Sequence, residues 1–236
     1  MMTFLENRMS ATDNATPLRF AINLGNAVLA KTLPDGQPGG ITVEIAQKIA
    51  AEQGRVAQFV TYPTAGKVVD DASHDRWDVA FLAIDPKREE VLRFTQSYIT
   101  IEGTVMVREN SDWQSVAEMD KPDVVINVGK GAAYDLFLSR ELKHAALNRL
   151  ASSQAAIDAF LDGEGDMAAG IRQPLERVVS NNSGFRVLPN NFGQIFQAIC
   201  LPHAHDQLYG EISHFLDNWR ENGAISEIIN RNLTES

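Results

Sequence analysis

The chain has 236 residues, 44% of them hydrophobic and 22% charged, with a formal net charge of -10 at pH 7. Such a composition fits one large or two modest packed domains and excludes a disordered or coiled-coil chain. The acidic exterior repels polyanions, which excludes nucleic acid as a partner, whereas a local cluster of Arg and Lys in a cleft can still hold a small anion.

Residues 1–17 contain charged and small polar side chains but no apolar stretch of the kind a secretion signal uses, so a flexible N-terminal segment is expected. On that reading a leader has been trimmed or the protein stays in the cytoplasm. LRFAINL, over 18–24, reads as a buried strand ending in the Gly25-Asn26 turn. The turn-forming stretch 33–40 then leads to ITVEIAQKIAAEQG, where Ile41, Ile45 and Ile49 share one helical face and Gly54 stops the helix. A strand over 56–62, a helix over 66–73 and an apolar strand over 77–84 follow. This β-α-β-α-β order predicts right-handed crossovers and a parallel sheet whose ligand site lies beyond the carboxyl ends of the strands, which puts Asn26 and the turn from Ala83 to Arg88 at one rim.

Next come 94–98 and the extended stretch 99–107, then the polar stretch 108–122, with a domain crossing expected near 105–109. The scheme then repeats: strand 124–128, turn Gly129-Lys130-Gly131, helix 132–142, strand 147–151, helix 153–161, strand 167–171, helix 174–179 and strand 185–188. A return strand over 194–201 precedes a helix whose buried face carries Leu208, Ile212, Phe215 and Trp219, with Gly223 as its stop and a shorter helix over 224–232. Cys200, the one cysteine, lies inside the apolar run 195–201; an intrachain disulfide is impossible, and a buried thiol is expected.

The stretch DVAFLAIDPKREEVLRFTQSY, residues 78–98, resembles the signature of family 3 of the bacterial solute-binding proteins. There a strand and turn lead to an Arg and then to a Phe-Ser/Thr-x-x-Tyr element, matched here by Arg88, Phe94, Thr95 and Tyr98. ITVEIAQKIAAEQG resembles the family's first helix and VGKGAAYDLFL its second-lobe turn and helix; the likeness runs over 18–232. It implies an α/β protein of the type II periplasmic-binding-protein kind, with two lobes, each a mainly parallel sheet flanked by helices, joined by a two-strand hinge. Lobe 1 would comprise 18–105 plus 196–236, and lobe 2 would comprise 106–195. The implied function is binding of an amino acid or related organic acid in the interlobe cleft for an ABC-type importer. The likeness further implies a monomer in the periplasm, with a permease as its partner and no enzyme activity, cofactor or metal.

Carried over from the resemblance, Arg88 clamps the ligand carboxylate, for which a guanidinium fork is suited. Gly131, Ala132 and Ala133 would present backbone N–H groups at a helix N-terminus to the same anionic end. Two departures stand out. The segment before Arg88 is about two residues short by comparison with the family, so Leu82, Ala83 and Ile84 replace groups that usually touch the ligand. About five residues after Asp166, where the family places an Asp for the ligand ammonium, the sequence reads Gly170-Ile-Arg-Gln173. If Arg172 faces the cleft, two guanidinium groups favour a second acidic group or a ligand without an amine; if it stays on the lobe surface, Glu102 is the candidate partner for an amine. Two other functions remain open: a cytoplasmic or tethered ligand-sensing module, and an enzyme resembling the cyclohexadienyl dehydratases, for which Glu102 is the one candidate general acid. The five histidines lack metal-site spacing, and GxSxG, GxGxxG and GxxxxGK[ST] patterns are absent.

Overall fold

The structure, a computed structural model, describes residues 16–234. Of the expected flexible segment, residues 1–15 lie outside the described residues; the carbonyls of Thr16 and Pro17 accept hydrogen bonds from the Arg55 guanidinium at 2.8 and 2.9 Å.

The first lobe opens with β1 (Leu18–Asn23), a small hairpin of β2 (Lys31–Thr32) and β3 (Pro38–Gly39), α1 (Ile41–Glu52), β4 (Ala57–Tyr62), α2 (Ala65–Asp70), β5 (Val79–Ala83) and α3 (Pro86–Glu89). The 17-residue strand β6 (Leu92–Arg108) then leaves this lobe for the second. There β7 (Val125–Gly129), α4 (Ala133–Glu141), β8 (Ala146–Leu150), α5 (Ser153–Leu161), β9 (Met167–Ile171), α6 (Arg172–Asn181) and β10 (Phe185–Val187) follow one another. The chain returns through β11 (Gly193–Pro202) and ends in α7 (Asp206–Glu221) and α8 (Ala224–Thr234).

Among the described residues one nine-stranded sheet runs in the order β4-β1-β5-β11-β6-β9-β7-β8, with β10 also paired to β6. A parallel triplet stands at each end, β4-β1-β5 and β9-β7-β8, and the antiparallel pair β11–β6 joins them. Strand β6 pairs with β11 over Leu92–Gly103 and with β9 over Gly103–Met106. What reads in sequence as two pieces, 94–98 and 99–107, is therefore one strand shared by both lobes.

Each triplet is covered on both faces, as its near-continuous apolar sequence requires. In β1, Phe20 and Ile22 face the large cluster under α1, α7 and α8, while Ala21 faces the opposite side with Trp77 and Leu82. In β6, Val105 and Val107 join the core of the second lobe around Ile126 and Leu138, and Met106 joins Phe160 and Leu175 behind it. Fully burying side chains of this size contributes about 1.5–3 kcal/mol each. Cys200 is fully buried, as expected, and burial pushes its thiol pKa up, so it is inert.

Candidate functional site

The carboxyl ends of both parallel triplets meet at one cavity of about 40 Å³ between the lobes. The first lobe contributes the turn after β1, with Asn23, Gly25 and Asn26, the start of α2, with Thr64 and Ala65, and the end of β5, with Leu82, Ala83 and Arg88. The second contributes the turn from β7 to α4, then Tyr134, Ser153 and Ile171. Ile195 and Gln197, alternate residues of β11, close the base.

Arg88 owes its position to a short, strongly specified turn. Asp85 caps α3 by accepting the Lys87 N–H at 2.9 Å, and Pro86 occupies the first turn, where its missing N–H costs nothing. The helix folds the guanidinium back under β5. There it is 3% exposed and donates to the Ala83 carbonyl at 3.0 Å and, across the cleft, to the Gly131 carbonyl at 3.0 Å. Burial pulls its pKa below the usual arginine value, opposed by the negative charge of Asp85. Among the described residues no carboxylate lies within ion-pair distance of Arg88; the Asp85 carboxylate instead accepts from Arg140 of α4 at 2.6 Å. A buried cation with only carbonyls as partners is under-compensated, and an anion in the cavity would complete it.

The second lobe offers main chain. Helix α4 begins after Ala132, which supplies no side-chain cap, so the first N–H groups of the helix, beginning with Ala133, have no intrahelical acceptor and carry the positive end of the helix dipole. Gly131 and Ala132 behave differently from expectation: the Gly131 N–H donates to Asp135 Oδ2 at 2.9 Å and the Ala132 N–H to the Gly129 carbonyl at 3.0 Å, so neither is free, while the Gly131 carbonyl turns to Arg88. The Gly131 backbone is left-handed, with φ 73°, and a Cβ there would come within 3.3 Å of the Gly66 Cα, so glycine lets the lobes touch. Lys130 is exposed and stands at the cavity wall.

Of the residues singled out in the sequence, Arg88, Asn26, Ala83, Ala132 and Ala133 line the cavity, and Gly131 contacts it through Arg88. Arg172 and Glu102 do not line it. They pair with each other at 2.7 Å, and Arg172 also donates to the carbonyls of Leu188 and Pro189 at 3.2 and 3.1 Å, tying α6 to β6 and to the strand leading back. Neither alternative read from the sequence, a second guanidinium in the cleft or an ammonium partner at Glu102, matches this placement. Ile171, five residues after Asp166, is part of the wall. Sequence reasoning missed Gln197, Thr64, Tyr134 and Ser153. Gln197 left a signal, a single amide inside the apolar run IFQAIC; the others left none. Among the described residues no group of three or more His, Cys, Asp or Glu is placed to hold a metal, and no helix is long and apolar enough to cross a membrane.

Similarity to known proteins agrees with this architecture. The amino acid ABC transporter substrate-binding protein of Streptococcus pneumoniae, solved bound to L-arginine, superposes with a TM-score of 0.79 at 19% identity, covering 92% of this chain and 94% of that one. An ancestral amino acid-binding protein, described as a precursor of cyclohexadienyl dehydratase, gives 0.77 at 19% identity over 92% and 95% of the two chains. A histidine kinase sensor domain with similarity to periplasmic binding proteins gives 0.80 at 15% identity over 92% and 96%. At these identities the likeness shows the fold: two lobes, each a sheet flanked by helices. No curated protein sequence is significantly similar. The profile of bacterial extracellular solute-binding proteins, family 3, matches residues 18–235, and the chain belongs to that family.

Proposed function

We propose that the chain is the solute-binding component of an ABC-type importer, closing its lobes on a small carboxylate-bearing solute without changing it chemically. We take the lobes as 18–105 with 196–236 and as 106–195, the hinge being β6 and β11. The observation that carries the reading is Arg88: a guanidinium 3% exposed, lining an interlobe cavity, hydrogen-bonded to carbonyls and to no carboxylate. Opposite it, the uncapped start of α4 supplies main-chain donors of the same electrostatic sign. The dehydratase alternative finds no support in Glu102, its one candidate acid, which is bonded to Arg172 and does not line the cavity.

A thermal-shift screen of the protein against acids and amines tests this. A ligand bound only by the folded state at a hundredfold excess over its Kd stabilises by about 2.7 kcal/mol. The expected result is a rise in Tm with one class of small carboxylic acid and none with the matching amines. A shift with amines alone, or with no acid at all, would overturn the assignment.

A further inference from the structure

The cavity is rich in donors and, among the described residues, no Asp or Glu lines it, while Arg88 and Lys130 do. The nearby carboxylates are all engaged elsewhere: Asp85 by Arg140, Asp135 by Arg149 and the Gly131 N–H, Glu102 by Arg172. The Ala83 carbonyl, at the end of β5, is taken by Arg88. A ligand ammonium would therefore be desolvated beside a buried guanidinium with no anion to meet it, which is unfavourable on both counts.

Two neutral amides point to what the site accepts instead. Asn26 is 8% exposed; its Oδ1 receives the Val28 N–H at 3.3 Å, and its NH2 group meets no protein acceptor among the described residues. Gln197 is 4% exposed, lines the cavity, and makes no side-chain hydrogen bond to the protein among the described residues. On β11 it lies opposite Ala83, the residue whose carbonyl anchors Arg88, so amide and guanidinium belong to one patch. Among the described residues neither amide is one of the fully enclosed unpartnered groups, so water reaches these donors until a ligand oxygen takes its place. The volume, about 40 Å³, is a few times the roughly 10–15 Å³ that one water requires, which is room for a short chain.

We infer that this cleft selects short organic acids that lack an amine and carry a neutral oxygen beside the carboxylate, that is 2-oxo or 2-hydroxy acids, in preference to the corresponding α-amino acids. The inference rests on the receptor reading above, with Arg88 holding the carboxylate and the amides of Asn26 and Gln197 donating to the neighbouring oxygen.

The test is calorimetric titration of the protein with matched sets: pyruvate, L-lactate and L-alanine, then 2-oxobutyrate, 2-hydroxybutyrate and 2-aminobutyrate. An oxo or hydroxy acid should bind at least tenfold more tightly than its amino counterpart. Gln197→Glu, which puts a carboxylate beside the guanidinium, should weaken that acid at least tenfold and narrow the ratio. If the amino acids bind as tightly as or more tightly than their partners, the inference falls, while loss of that binding in Arg88→Ala would leave the receptor reading standing. If no member of either set binds, the inference falls, and the receptor reading stands or falls with the wider thermal-shift screen.

Discussion

The two lobes share a construction and differ in what they bring to the cleft. Each is a parallel triplet whose third strand follows an Asp. Asp78 accepts the Arg19 N–H at 2.8 Å ahead of β5, and Asp166 accepts the Val125 N–H at 2.8 Å ahead of β9. In both cases the amide of the Asp returns the bond to the carbonyl of the same residue, at 2.9 and 2.8 Å. From that common frame the first lobe extends a charged side chain, Arg88, on a helix capped by Asp85, whereas the second extends the uncapped start of α4. On the proposed reading, recognition in the first lobe is thus a matter of residue identity, and in the second a matter of backbone path.

Substitutions can break that contrast. Arg88→Ala has the largest expected effect: losing two charge-assisted hydrogen bonds at about 1.5 kcal/mol each weakens binding roughly 100-fold by titration. Circular dichroism should show the fold retained. Ala133→Pro sharpens the contrast, because it deletes a backbone donor and adds no charge. Ala132 already has the extended conformation that precedes a proline, with φ -65° and ψ 156°, and the first helical position tolerates proline. Binding should weaken about tenfold with Tm nearly unchanged, the loss of one charge-assisted bond. If Ala133→Pro binds normally, main chain in the second lobe does not hold the ligand.

Arg140→Ala removes the ion pair that spans the lobes. The arginine side chain is 43% exposed, and its truncation lets water reach the buried Asp85, so the expected loss is small, a Kd about fivefold weaker for roughly 1 kcal/mol, and it should shrink as salt rises. The smallest effect concerns the first lobe alone. Burial pushes the Asp78 pKa up, but hydrogen bonds from the Arg19 side chain and main chain outweigh it and hold the value below the usual 3.8. A depressed folded pKa means stability that is present above the unfolded value and lost as pH falls through the folded one. Asp78→Asn should therefore flatten the fall of Tm below about pH 4; an unchanged acid limb would show that the pair with Arg19 does not couple to folding.

Much of this was legible beforehand because it is local. Periodicity located the strands and helices, and the β/α alternation placed the rim residues Asn26 and Ala83. Arg88 was reached through its resemblance to a family pattern; spacing alone does not distinguish it from a surface arginine between Lys87 and Glu89. What sequence could not supply were pairings across the chain. Glu102 and Arg172, 70 residues apart, read as two candidate ligand groups and turn out to neutralise each other. Asp85 and Arg140, 55 apart, bridge the lobes, and nothing local in the sequence pairs them. Gly131 sits where it was expected, but its N–H goes to an aspartate four residues on, a competition that the motif GKGAA does not reveal.

The strand β11 lies between β5 and β6 in the sheet yet comes after the entire second lobe in the chain. During synthesis the inserted lobe is therefore complete while the first still has a slot in its middle, with two unsatisfied edges of backbone donors and acceptors. The early half of the molecule cannot finish until its last quarter arrives. A chain in that interval is an open sheet awaiting one strand, the form in which association with other nascent chains or capture by a chaperone is easiest.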